Sequence, residues 1–154
     1  MSLDNYKPGM LPTPANPDQA IVEMKKHMAF FERIKKEVLT KDDVIEIDRR
    51  PYIKRSGWRK IQMLCNVSDK IIDAQKEVEK DASVTWRIRV VAFAPNGRES
   101  EGIASCNTKE KGFVHKEHDA YAIAHTRAKN RAIADLVGLA EVSAEEMQAM
   151  RVVK

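Results

Sequence analysis

Between residues 17 and 39 apolar side chains return every three to four positions, at Ile21, Met24, Met28, Phe31 and Val38, with Lys35 interrupting. That spacing places one apolar stripe along one α-helix, which covers the domain's own sheet or meets another subunit. Asn16-Pro17 supplies its start, an N-cap followed by proline at the first helical position, with Gln19 at the third. The period then changes. DVIEID (residues 43–48) alternates apolar and acidic residues, as a half-buried strand does. Arg49, Arg50 and Pro51 turn the chain, and Tyr52-Ile53-Lys54 returns as the second strand of a small hairpin. GWRKIQMLCNV opens a short helix at Gly57, with Trp58, Ile61, Met63, Leu64 and Cys65 as its buried side. Residues 71–79 form a further strand. VTWRIRVVAFA (84–94) is the clearest strand, with Val84, Trp86, Ile88 and Val90 on one face and Thr85, Arg87 and Arg89 on the other. Pro95-Asn96-Gly97-Arg98 predicts a hairpin turn, because Asn-Gly readily takes positive φ. Residues 99–106 return as the next strand, and 107–117 form a polar loop rich in lysine and glutamate.

The last long helix spans 118–138 and carries six alanines together with Arg127, Lys129 and Arg131. Small side chains hold backbones apart very little, so this helix can approach a sheet closely. Tyr121, Ala124, Ala128, Ala132 and Leu136 mark its packing face, and Gly138 its left-handed cap. Ser143 and Glu146 have the spacing of a capping box for one more short helix.

Helix, hairpin, helix, meander and helix in that order predict an α+β fold: an antiparallel sheet of three to five strands with helices packed on one face. The chain divides into a flexible Pro-rich arm at 1–16, a single domain at 17–140, and a short helix or tail at 141–154. No apolar run reaches the roughly 18–20 residues that span a bilayer, and the N-terminus lacks the basic and apolar regions of a secretory signal. Two cysteines make no disulfide framework. The expected setting is cytoplasmic, with no membrane partner.

The net charge of +4 is only mildly basic, so placement matters more than total. Arg49, Arg50, Lys54, Arg55, Arg59 and Lys60 put six cations into twelve residues, beside Tyr52 and Trp58 and with no acid among them. Cations interleaved with aromatics contact phosphates and stack on bases, although a tryptophan on a helix, such as Trp58, is more often core than stacking platform. On the late helix, Arg127 and Arg131 lie one turn apart on one stripe and Lys129 roughly opposite. The two arginines flank the packing face, where they either lean into a groove beside the sheet or pair with Asp135 or Glu117. Arg87 and Arg89 are read as cross-strand partners of Glu77, Glu99 or Glu101. Cys106, His115, His118 and His125 have no metal-ligand spacing, so no metal or cofactor is expected. Neither GxSxG, P-loop, GxGxxG nor HExxH occurs, and no enzyme is expected. Glu99, Glu101, Glu117 and Asp119 leave a magnesium-dependent nuclease as a lesser alternative.

PYIKRSGWRKIQML, WRIRVVAFAPNGRESEGIASC and TRAKNRAIADLVG, within residues 44–140, resemble the single-strand annealing protein superfamily (the Rad-fifty-two, Redβ and ERF type), in an archaeal or viral branch. The resemblance implies a helix before a three-stranded antiparallel sheet and a long helix across it. It also implies a groove that holds one DNA strand by its backbone. Carried over by position, Arg131 is the matching helix cation, with Lys129 or Arg127 as neighbour, and Arg49, Arg50 or Arg55 comes from the hairpin region. Asn130 and Ala134 stand where the family pattern has cations. The implied partners are single-stranded DNA, further copies of the chain in a ring or filament, and other recombination proteins. The expected function is non-enzymatic single-stranded DNA binding and strand annealing in homologous recombination or repair. The alternatives are an RNA- or duplex-binding accessory protein and a purely structural assembly module.

Overall fold

A computed structural model describes residues 16–138 and 143–147. The 1–16 arm, Asn16 apart, and most of 141–154 lie outside the described residues. Helix α1 (Pro17–Arg33) begins as the sequence predicts: the Asn16 side chain accepts from the Gln19 backbone N–H at 3.3 Å and donates to Gln19 Oε1 at 2.7 Å. A wider turn, Ile34–Val38, ends it. The apolar stripe is less buried than its period suggests. Phe31 and Ile34 enter the core, whereas Ile21, Met24 and Met28 are 54%, 56% and 61% exposed. Among the described residues it is the second half of α1 that meets the domain, with His27 Nε2 at 2.8 Å from the Val137 carbonyl and Phe31 buried.

Strands β1 (Val44–Ile47) and β2 (Arg50–Ile53) form a separate two-stranded hairpin rather than joining the main sheet. Its turn is Asp48-Arg49, not 49–51. Both residues have positive φ, 50° and 63°, and Ile47 pairs with Arg50, the geometry of a two-residue type I′ loop. Helix α2 (Arg55–Leu64) starts two residues earlier than the sequence suggests. Trp58 and Ile61 are buried, but Met63 is 80% exposed and Leu64 is exposed too. At about 100° per residue, position 63 is turned well away from the 58/61/65 stripe.

The main sheet has the order β3-β4-β5, all antiparallel: β3 (Ser68–Val78), β4 (Val84–Phe93) and β5 (Glu99–Asn107). A bulge at Ile72 shifts the β3 register. Along β4, Val84, Ile88 and Val90 are buried and Arg87 and Arg89 exposed, as the alternation requires. Outer-edge strand β3 is exposed along nearly all its length. In the β4–β5 loop Gly97 alone takes positive φ (86°), while Asn96 keeps negative φ and accepts from the Arg98 N–H with its side chain at 3.0 Å. The Gly97 N–H donates to Ala94 O at 3.0 Å, so this is a tight turn followed by a left-handed glycine rather than a type I′ loop.

Helix α3 (Lys116–Val137) crosses β4 and β5, and Gly138 closes it at φ 76°. Ala120, Ala124, Ala128 and Ala132 are fully buried in its contact stripe. Opposite them, Gly102 of β5 lies so close that a Cβ there would stand 2.0 Å from Ala128 O and 2.7 Å from Ala132 N. The alanine stripe and one glycine thus set the helix-to-sheet distance. Ser143 and Glu146 form the expected capping box: Glu146 N–H donates to Ser143 Oγ, and Ser143 N–H donates to Glu146 Oε2, both at 3.4 Å. The helical turn 144–147 packs beside α3, with Ser143 and Ala144 almost wholly buried. The result is an α+β fold of helices and two antiparallel sheets. Among the described residues, no helix is long and apolar enough to cross a membrane.

Candidate nucleic-acid interface

Helices α2 and α3 meet side by side, and a small cleft opens between them. Arg55 and Arg59, one turn apart on α2, line one wall; His125, Lys129, Thr126 and Asn130, two further one-turn pairs on α3, line the other. Arg55 and Arg59 are exposed and make no ion pair among the described residues. Lys129 is held against Asp69 of β3 at 3.1 Å, and Asp69 also accepts from Gln62 Nε2 at 2.5 Å. Asn130 is 2% exposed. Burial first, then the positive charges of Lys129 and Arg55, pull the His125 imidazole below its ordinary range against the opposing pull of Asp69. His125 is therefore neutral at neutral pH, and its buried Nε2 has no hydrogen-bond partner among the described residues.

The other sequence-predicted cations do not gather here. Arg127 is 5% exposed and belongs to the interior. Its Nη2 contacts Glu110 Oε1 at 2.5 Å and its Nη1 contacts Oε2 at 3.2 Å; Nη1 also donates to Ser105 O at 3.0 Å and Nε to Glu145 O at 3.4 Å. A guanidinium so enclosed cannot reach a polynucleotide, which removes Arg127 from the candidate site. Arg131 pairs with Glu146 and donates to Ile103 O at 2.6 Å; it lies on the β5 side of α3, away from the cleft. The partners are thus Glu110 and Glu146, not Asp135 or Glu117; Glu117 binds Lys76 at 2.9 Å.

Burial would raise the Glu110 carboxyl, but hydrogen bonds from Arg127 and Cys106 hold it below the usual range. The neighbouring Cys106 thiol, buried and facing that carboxylate, is pushed up to about 12 and stays protonated. Lys60 is turned away from the cleft onto Asp43, at 2.6 Å. Arg49 and Arg50 are exposed on the hairpin, and neither they nor Lys54 line the cleft. Trp58 is 1% exposed and Tyr52 half-buried, so Trp58 is core and not a stacking platform. Arg89 pairs with Glu101 through two nitrogens, as expected of cross-strand neighbours. Among the described residues, no group of three or more histidine, cysteine or acidic side chains could hold a metal ion.

Asp43 carries a pH prediction. Lys60 first, then the Thr40 N–H, hold its carboxyl well below the ordinary carboxylate range. Its folded pKa being depressed, the stability it contributes is present above about pH 4 and is lost as pH falls toward the folded value. Asp43→Asn should therefore lower stability at pH 7 and flatten the acid limb of a pH–stability curve measured by urea unfolding. An unaltered acid limb would count against the pairing.

Sequence reasoning does not mark His125, Thr126 or Asn130 as lining a nucleic-acid site. Their signal is present in the spacing, because 125/129 and 126/130 repeat the one-turn interval of 55/59. No protein-family model matches the chain, and no curated protein matches it.

Proposed function

We propose that this protein binds single-stranded DNA by its backbone across the α2–α3 cleft and promotes annealing of complementary strands, without covalent chemistry. The observation that carries this reading is the convergence of Arg55, Arg59 and Lys129 on one cleft, with Arg55 and Arg59 unneutralised among the described residues. Guanidinium groups suit phosphates, which accept two parallel hydrogen bonds. Among the described residues no phenylalanine, tyrosine or tryptophan lines the cleft, so the reading relies on backbone contacts rather than base stacking, with the pairing edges left to a second strand. The resemblance of the two cleft-forming segments to the single-strand annealing superfamily points the same way, as does its expectation that further copies assemble along the strand.

Arg55→Ala combined with Arg59→Ala is expected to weaken binding of a fluorescent oligothymidylate at least tenfold. It should also flatten the salt dependence by about 1.4, at about 0.7 for each single-strand phosphate no longer engaged. Both side chains are exposed, so the folded spectrum by circular dichroism should be unchanged. Unaltered affinity by anisotropy titration would remove the cleft from the site. Preferential binding of duplex or RNA of equal length would keep the cleft and change the ligand. A strand-annealing assay on the wild type and this variant tests the second half of the proposal.

A further inference from the structure

The helical turn at 144–147 brings two carboxylates onto the elements that carry the cations. Glu145 Oε1 accepts from the backbone N–H of Arg55, the first residue of α2, at 2.9 Å. The Lys54 N-cap offers that helix end no side-chain acceptor of its own. Glu145 Oε2 accepts from Asn130 Nδ2, a cleft-lining amide, at 3.4 Å. Glu146, next in the chain, occupies Arg131, and the Glu145 carbonyl accepts from Arg127. One side chain thus joins the start of α2 to α3 through the donors an incoming anion would use.

We propose that Glu145 is an intramolecular stand-in for a phosphate: its carboxylate fills one anion position at the edge of the cleft, and the turn is an autoinhibitory contact that a bound strand displaces. This rests on the function proposed above. A carboxylate and a phosphodiester are both monoanions with two acceptor oxygens. The N-terminus of a helix, with unpaired N–H groups and the positive end of its dipole, favours either. What distinguishes this helix end is its company: the Arg55 and Arg59 side chains stand on the same helix, and the buried Asn130 amide is already turned onto the bound carboxylate. Glu145 is half-buried and takes no part in the Ser143–Glu146 capping box, so its charge can be removed without dismantling the turn. Displacement exchanges one anion for another at the α2 terminus and returns a carboxylate to water, leaving the cleft's cations to the nucleic acid.

The test is an anisotropy titration of the fluorescent oligothymidylate at low salt with the wild type, Glu145→Gln, and Arg55→Ala/Arg59→Ala. Glu145→Gln is expected to bind about two- to fivefold more tightly, the size of one charge at a helix terminus, and the arginine variant more weakly. If the wild type binds through the arginines and Glu145→Gln binds equally or less tightly, Glu145 is only a cap, and the cleft reading survives alone. If the wild type binds regardless of the arginines, or neither it nor Glu145→Gln binds, both readings fall. A second measurement needs no variant: in the wild type, the NMR signals of the Glu145 side-chain carboxyl carbon and the Arg55 amide should shift together as the oligonucleotide is added. An unmoved Glu145 carboxyl signal at saturation overturns the proposal.

Discussion

Gly102→Ala is expected to destabilise the fold by about 3 kcal/mol or more, a large effect for one methyl group. The added Cβ would stand 2.0 Å from Ala128 O and 2.7 Å from Ala132 N. Both obstacles are backbone atoms of a continuous helix, so no rotamer change relieves them, and α3 must move away from β5 as a body. Moving it opens the contacts of Ala124, Ala128 and Ala132, each fully buried, and shifts Lys129 and Asn130 relative to α2. Oligonucleotide affinity should therefore fall even where the variant remains folded. The control is Gly97→Ala: that glycine has φ 86° with open space where a Cβ would be, so the cost should be about 1 kcal/mol. Urea unfolding followed by circular dichroism compares the two. A Gly102 variant within about 1 kcal/mol of wild type would show that helix and sheet do not pack this closely.

The second large effect is at Arg127. Arg127→Ala should cost about 3–5 kcal/mol, because it strands the Glu110 carboxylate and leaves Ser105 O without its guanidinium donor. Replacing both partners, Arg127→Met with Glu110→Met, should recover part of that loss, since no unpaired charge then remains. A double variant as unstable as the sum of the singles would mean the pair is not coupled. At a temperature where Arg127→Ala is still folded, its oligonucleotide affinity should be close to wild type. That combination, large for stability and small for binding, is the reverse of the pattern expected at Arg55 and Arg59.

These two sites show which parts of the molecule the sequence makes readable. The alanine interval on α3, the alternation on β4 and the Ser143–Glu146 spacing are local patterns, and local patterns translate directly into elements. Angular arithmetic also separates Lys129 from Arg127 and Arg131. It cannot say which side of α3 faces α2, because that depends on how two distant segments pack. Glu110 lies in a loop without period, so nothing local marks it as the partner of Arg127. The turn at Asp48-Arg49 escapes because an arginine with φ 63° is a poor cue for a left-handed residue. Met63 is misplaced when apolar residues are counted without regard to their angle. The cleft itself is half legible: its α2 cations stand out, while His125, Thr126 and Asn130 read as ordinary helix positions until a facing helix gives them a common direction.

The arginines of α3 that left the candidate site have a different consequence. Strand β5 is an edge of the main sheet, and its Ile103 and Ser105 carbonyls already accept from Arg131 and Arg127. An intruding strand on that flank would have to unseat two guanidinium groups, one of them buried. The opposite flank, β3, has no such stopper among the described residues. Two main sheets joined β3 to β3 would each end in a blocked β5, so pairing between main sheets would stop at two chains rather than extend toward a cross-β fibre.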